Sequence, residues 1–422
     1  MSQQDALPIS FDAALSRIAE AMRNEPISFV ATPCTPWHCL GMDAFIARRR
    51  ARGDDRPGFV LLIPHPKDGL VISRDTFDFL ANDNRTTILS IDSLIPNAMF
   101  RSLMVILAVL WHALWFALFS RTTAPTPLEE APAEAPVLLG VRTPDLFTLM
   151  NLRRFLGTAA NAFHVVSVDE GLGTYRSHEF LVATTRRDRS HPGRSVLATE
   201  IDVFLRHSYW RLQRLLCGRI PRSEFFLYSK TLPEGELEIN PDIATAYQSV
   251  INLRVQSTGV QRSSTERTTA LLVSQDWSAN GSYPEEAEAD FLPRVVAAFN
   301  VLGFAVIVKP HPRERPQRYD NLVASGQCTL ADHAQCVEHL FATLSTNDIV
   351  VGDSSSSLAS AVSLFDRSAY SFGTFLSQRY PALPYHVTAQ EDFRQLTGRF
   401  VLPIETIVGF SDAFEQSDPR DE

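Results

Sequence analysis

Twice along the chain, short apolar runs alternate with stretches of helical periodicity, and this repeat limits the folds open to it more than any other feature. In the first half, residues 27–31, 59–63 and 87–91 read as strands, with 11–22 and 39–50 as helices between and before them. A strand at 137–140, a helix at 144–157 and a strand at 164–168 follow, then an amphipathic helix at 199–217. The pattern restarts near residue 268, with strands at 269–274, 305–308 and 349–351 and helices at 285–302, 336–345 and 358–364. Strands separated by helices predict α/β units around parallel sheets. A chain of 422 residues exceeds what one hydrophobic core usually organises. The polar stretch 256–268 is the expected boundary, giving a first domain over 1–262 and a second over 263–395. Residues 396–422, with their acidic end, are expected to be a partly disordered tail.

Composition excludes some functions. The formal net charge of −9 argues against a nucleic-acid binder, which needs a basic face for phosphate contacts. Cys34, Cys39, Cys217, Cys328 and Cys336 form no CxxC pair, so neither a zinc site nor a redox motif is expected, and reduced thiols are. The first 22 residues lack the basic start and apolar run of a signal peptide, which predicts a cytoplasmic protein. Residues 103–119 are an uninterrupted apolar run of 17, shorter than the roughly 20 that span a bilayer. A core helix, a helix resting on the membrane face and a spanning helix are its three readings. Residues 122–136, rich in Pro, Ala and Glu, read as a linker, and 185–195 as a mobile stretch.

Three loops carry candidate chemistry, and each begins where a predicted strand ends, the place where open parallel sheets bind ligands. Asp169-Glu170-Gly171 sets two carboxylates side by side. Either could take the proton of an attacking hydroxyl, or both could be solvated turn residues. Gly171 and Gly173 permit a tight turn beside a bulky ligand. Lys309-Pro310-His311-Pro312-Arg313 holds one imidazole between two prolines and two cations, which suits a departing phosphate as well as a rigid loop. Ser354, Ser355, Ser356 and Ser357 open a helix, where hydroxyls and backbone N–H groups bind anions and where serine also serves as a cap. His65-Pro66 and His191-Pro192 lack this setting and read as structural.

VDEGLGTY at 168–175, KPHPR at 309–313 and GDSSSS at 352–357, in that order, resemble the bacterial sialyltransferases. The nearest look is the capsule polysialyltransferases and their lipooligosaccharide sialyltransferase relatives, and the likeness covers residues 168 to 360. The resemblance implies a GT-B architecture, two Rossmann-like domains facing a central cleft, with the acceptor held mainly by the first and the nucleotide by the second. It implies inversion at the anomeric carbon, a CMP-sugar donor, a glycan or glycolipid acceptor and no metal. Asp169 would then be the general base, with Glu170 in support or in its place. His311 would help the leaving group depart. Gly171, Lys309, Pro312, Arg313 and two of the serines, among Ser354, Ser355 and Ser356, would hold the donor. Before residue 150 the likeness is only a strand, the TPCTPWH turn and a helix; there Thr32, Trp37 and His38, with Gly173 and Tyr175 later, would meet the acceptor. Arg313 follows where many relatives carry lysine after His-Pro, which bears on the donor's identity. One phosphate on the leaving group needs less help than a diphosphate, and no DxD-type carboxylate cluster is evident. Capsule Kdo transferases, CDP-glycerol-type glycerophosphotransferases and a non-catalytic binding protein are the alternatives. Membrane contact, if any, is expected through residues 103–119.

Overall fold

The computed structural model describes residues 8–33, 35–62, 72–92, 135–141, 163–169, 171–173, 175–176, 178–189, 195–217, 222–229, 235–258, 267–311, 314–332 and 335–417. The apolar run 103–119, most of the linker 122–136, the helix expected at 144–157, His65-Pro66 and His191-Pro192 lie outside them, as do Glu170, Pro312 and Arg313. Among the described residues no helix is long and apolar enough to cross a membrane.

The chain divides into two compact units, residues 1–174 with 201–227, and 175–200 with 228–422. In the first, strands β1 (Phe29–Ala31), β2 (Gly58–Leu62), β3 (Thr86–Ser90), β4 (Val137–Val141), β5 (His164–Val168) and β6 (Arg222–Phe225) form one parallel sheet. Its order is β3-β2-β1-β4-β5-β6. β1, β2 and β5 are buried along their whole length, which is why they appear in the sequence as apolar runs without alternation. Helix Phe11–Asn24 lays Phe11, Leu15 and Ile18 against Val30, Phe59, Leu61 and Val165 of this sheet. Its Ser10 cap accepts the Ala13 N–H at 3.2 Å, a contact of about 1 kcal/mol. Phe29 pairs with Gly58 across the ladder, and the phenyl ring fills the space that any side chain at 58 would need.

In the second unit a short antiparallel ribbon, β7 (Tyr228–Ser229) with β8 (Glu238–Ile239), precedes another parallel sheet. That sheet holds β9 (Thr269–Val273), β10 (Ala305–Lys309), β11 (Thr329–Leu330), β12 (Ile349–Gly352), β13 (Ser368–Ser371) and β14 (Val401–Pro403). The order is β11-β10-β9-β12-β13-β14. Counted within each unit, both sheets run 3-2-1-4-5-6, the Rossmann order, with the connection reversing between the first and fourth strands. This is the doubly wound α/β architecture expected of a GT-B chain. Helix Glu285–Val301 packs Phe291, Val295 and Phe299 on Leu272, Val306 and Val308.

Three stretches differ from the sequence reading. Residues 175–200 and 228–262 were expected in the first domain but fall in the second unit, where helix Pro241–Thr258 buries Tyr247, Val250 and Ile251 and its Gln248 donates to the Leu364 carbonyl. Within the tail expected to be partly disordered, β14 completes the second sheet and helix Phe410–Gln416 follows, because Phe410 and Phe414 are fully buried in the core beside Phe299 and Phe375. Residues 185–189, expected to be mobile, end helix His178–Arg189. There Arg187 stacks over Tyr385 at 4.2 Å and donates to the Asn280 carbonyl at 2.8 Å.

Candidate functional site

In the first unit, Asp169 stands directly after β5 and is fully buried. Its Oδ1 accepts from Trp37 Nε1 at 2.5 Å and from the Gly171 N–H at 3.2 Å, and its Oδ2 accepts the Leu227 N–H at 2.7 Å. Gly171 takes a positive φ of 67°, the conformation that lets the chain turn back so that its N–H meets the preceding carboxylate. Trp37 reaches Asp169 because helix Pro36–Ala51 starts straight after β1, with Thr35 as its cap accepting the His38 N–H at 3.3 Å. The carboxylate is thereby fixed in orientation by a side chain from the first turn of that helix, by a backbone donor of its own loop and by one from Leu227. Thr32 is buried and donates to the Leu139 carbonyl of β4 at 3.4 Å. His38 is buried as well, and burial pushes its imidazole down to about 4, so it is neutral at pH 7. The structure therefore brings Trp37, Asp169 and Gly171 together and places Thr32 and His38 inside the fold.

In the second unit, β10 and β12 flank β9, so their end loops leave the sheet about 10 Å apart, two strand spacings, on either side of the reversal in strand order. Lys309 ends β10, buried, with Nζ donating to the Pro310 carbonyl at 3.0 Å. Burial lowers its ammonium pKa, while Cys336, Glu338, Asp332 and Glu314 pull it back up. His311 is half-buried. Its N–H donates to Glu314 Oε2 at 2.5 Å, and Glu314 Oε1 accepts from Ser274 Oγ and Arg318 Nη1, each at 2.8 Å, and from the Tyr319 hydroxyl at 3.0 Å. Burial raises the Glu314 carboxyl above its usual range, against those donors. One buried acid thus ties the histidine loop to β9 and to the turn at 316–319.

The serine loop follows β12. Ser355 is the cap of helix Ser356–Phe365, its Oγ accepting the Ser357 N–H at 3.2 Å, while Ser356 is exposed and Ser354 half-buried. Among the described residues, the backbone N–H groups of Ser354, Ser355 and Ser356 make no hydrogen bond. Three consecutive free donors, the last of them opening a helix of 10 residues, are a candidate anion cradle. The cap reading is met by the Ser355 hydroxyl, and the unbonded N–H groups leave the anion reading open on different atoms. Beneath the loop, fully buried Asp353 accepts from Trp277 Nε1 at 3.1 Å and lies 2.8 Å from His386 Nε2. Gln390 and Tyr283 complete this buried group, and burial together with the Asp353 charge pushes the Tyr283 hydroxyl well above its ordinary value.

A model of the family described as alpha-2,8-polysialyltransferase matches residues 33–373, which contain all three loops. The chain belongs to the alpha-2,8-polysialyltransferase family. It is a glycosyltransferase of the sialyltransferase type. None of the curated proteins matches this polysialyltransferase-family chain. Among solved structures it is similar to an alpha/beta-galactoside alpha-2,3-sialyltransferase from Photobacterium phosphoreum, at 10% identity over 91% of this chain and 100% of that one, with a TM-score of 0.44. It is also similar to a sialyltransferase from Photobacterium damsela, at 11% identity over 90% and 81% of the two chains, with a TM-score of 0.45. A third, a 2,6-sialyltransferase from a Photobacterium species in a ternary complex with CMP and lactose, shares 12% identity over 89% and 78%, with a TM-score of 0.44.

Of the residues expected to meet the acceptor, Tyr175 belongs to the second unit. It is buried, its hydroxyl oxygen accepts the Tyr228 N–H at 3.1 Å, and the two rings pack edge to face at 5.6 Å. Gly173 is half-buried in the first unit. Sequence reasoning missed the partners that fix the loops: Glu314, Asp353, Trp277, His386 and Arg176. Asp353 had a visible signal, since it directly precedes the serines, but His386 and Trp277 carry none. Among the described residues, no group of three or more His, Cys, Asp or Glu side chains is arranged to hold a metal ion.

Gly373 supports the same loop. A β-carbon there would overlap the Asp353 carboxylate and crowd Gln390 Nε2 at 2.9 Å. Asp353 is held on its other side by Trp277 and His386 and has no slack. Gly373→Ala is therefore expected to lower stability by about 1–3 kcal/mol, as overpacking does, and to weaken anion binding at the serines. Thermal unfolding and a CMP titration measure both; an unchanged melting temperature would contradict the packing described.

Proposed function

We propose that the chain transfers sialic acid, or a related 2-keto sugar acid, from a CMP-activated donor to a glycan hydroxyl, with inversion and without a metal ion. The observation that carries this reading is the row of unbonded N–H groups at Ser354, Ser355 and Ser356, one strand across from the β10 loop that presents His311. One phosphate fits such a cradle. As the donor's C–O bond breaks, the electron pair moves to the phosphate oxygen, where the cradle and the His311 imidazole stabilise the new charge. Lys309 adds positive charge under the loop. Pro312 and Arg313 extend the same segment and are assigned to the donor. Asp169 takes the proton of the attacking hydroxyl, with Glu170 as the alternative base. Trp37 and Gly171 fix the Asp169 carboxylate, and Thr32, His38, Gly173 and Tyr175 are assigned to the acceptor on the resemblance alone. The family match favours sialic acid over the capsule Kdo and CDP-glycerol alternatives. CMP in one sialyltransferase complex, together with lactose, accords with the donor chemistry proposed here.

The test is acceptor-dependent CMP release from CMP-sialic acid, CMP-Kdo and CDP-glycerol, each with and without EDTA. Turnover is expected with CMP-sialic acid and is expected to survive chelation. Activity with CDP-glycerol alone would move the reaction to phosphorus, and loss of activity in EDTA would contradict the metal-independent mechanism. A cytoplasmic enzyme that works at the inner face of the membrane is the setting proposed for this chemistry.

A further inference from the structure

Arg176 follows the acid loop by a few residues and belongs to the second unit, where its side chain is only 8% exposed. Nη1 bonds Asp392 Oδ2 at 3.2 Å and the Ala389 carbonyl at 3.1 Å, and Nη2 reaches the Ser354 carbonyl at 3.4 Å. The guanidinium lies over the Phe180 ring at 4.6 Å. A buried cation with aromatic cover and a carboxylate partner is costly to desolvate, and of the two carbonyls it holds, that of Ser354 lies in the serine loop.

In a trans peptide the C=O and the following N–H point in opposite directions. No described peptide is cis. Fixing the Ser354 carbonyl on Arg176 therefore turns the Ser355 N–H to the opposite side. One residue earlier the Asp353 carbonyl accepts from Ser371 Oγ at 2.6 Å, which turns the Ser354 N–H in the same manner. Two successive carbonyls are thus anchored, and the N–H groups belonging to those peptides are among the unbonded donors of the serine loop. Helix Pro384–Thr397 supplies the rest of the support through His386, the Ala389 carbonyl, Gln390 and Asp392.

We propose that Arg176 is a positioning residue for the phosphate cradle: it holds the Ser354 carbonyl so that the Ser355 N–H is presented to the donor's phosphate. This rests on the reading that the serine loop binds the phosphate of CMP. It follows that Arg176 acts on ligands that carry the phosphate and not on the nucleoside alone.

The experiment compares CMP with cytidine as ligands for the full chain. Wild type is titrated first; if it binds no CMP, the functional reading fails and the Arg176 assignment with it. Given CMP binding, Arg176→Gln is expected to weaken CMP about tenfold, the size of one charge-assisted contact, and to leave cytidine within about twofold. Because that variant leaves Asp392 buried without its cation, Arg176→Gln/Asp392→Asn provides a neutral version in which the same split is expected. Arg176→Lys keeps the charge without the fork and is expected to fall between. Equal losses for CMP and cytidine, or unchanged CMP binding in a folded variant, would overturn the proposal. Failure of all three variants to fold would assign Arg176 to folding alone and overturn it too.

Discussion

Asp169→Asn is expected to cut turnover by about 10²–10⁴-fold while CMP binding by the second unit stays near the wild-type level. In the proposed mechanism the variant removes the acceptor of the hydroxyl proton, and it does not touch the strands that carry the serine and histidine loops. It also carries a structural cost. Both Asp169 oxygens accept backbone N–H groups, from Gly171 on one side and Leu227 on the other. Whichever way the asparagine amide turns, its NH₂ meets a donor, so a loss of about 1–3 kcal/mol in stability is expected alongside. Thermal unfolding separates that loss from the catalytic one. Glu170→Gln is the companion measurement, and it is expected to retain activity. Full activity in Asp169→Asn combined with loss in Glu170→Gln would move the base one residue along.

His311→Gln is expected to lower kcat by about 10²–10³-fold and to weaken CMP as well, since in the proposed mechanism the imidazole serves the leaving group. The loop should survive the change. Glu314 holds the His311 backbone N–H rather than its ring, and Ser274, Arg318 and Tyr319 hold Glu314. Steady-state kinetics with CMP-sialic acid, paired with a CMP titration, reads both effects. A variant with kcat and CMP affinity within twofold of wild type would remove His311 from the mechanism. The contrast with Asp169→Asn is the informative part: one substitution spares the nucleotide and the other does not.

The sheets were legible where strands are buried on both faces. β5, β9 and β12 are covered completely, so they stand in the sequence as plain apolar runs. β6, read as Arg-Ser-Glu-Phe, and β13, read as Ser-Ala-Tyr-Ser with an exposed first residue, belong to the same sheets but carry too few apolar side chains to announce themselves. The domain boundary at 262 followed polar composition. The apolar face of helix Pro241–Thr258 packs instead with the second unit, a choice that no local pattern encodes.

The three loops of the proposed site drew attention for a different reason. Asp169, His311 and the first serine each stand within two residues of a strand end, and strand ends are where such sheets place ligands. Their supports were not legible. Arg176 and Asp392 are separated by 216 residues, and Trp277 and Asp353 by 76, so their pairing exists only once the second unit has folded. Among the described residues Cys39, Cys328 and Cys336 form no disulfide.

A structure of the chain with CMP bound tests the phosphate cradle directly. The phosphate oxygens are expected about 3 Å from the backbone nitrogens of Ser355 and Ser356, with the His311 ring in hydrogen-bond reach of the same group. Nucleotide bound with its phosphate away from the β12 loop, and the serine N–H groups left to water, would contradict the account.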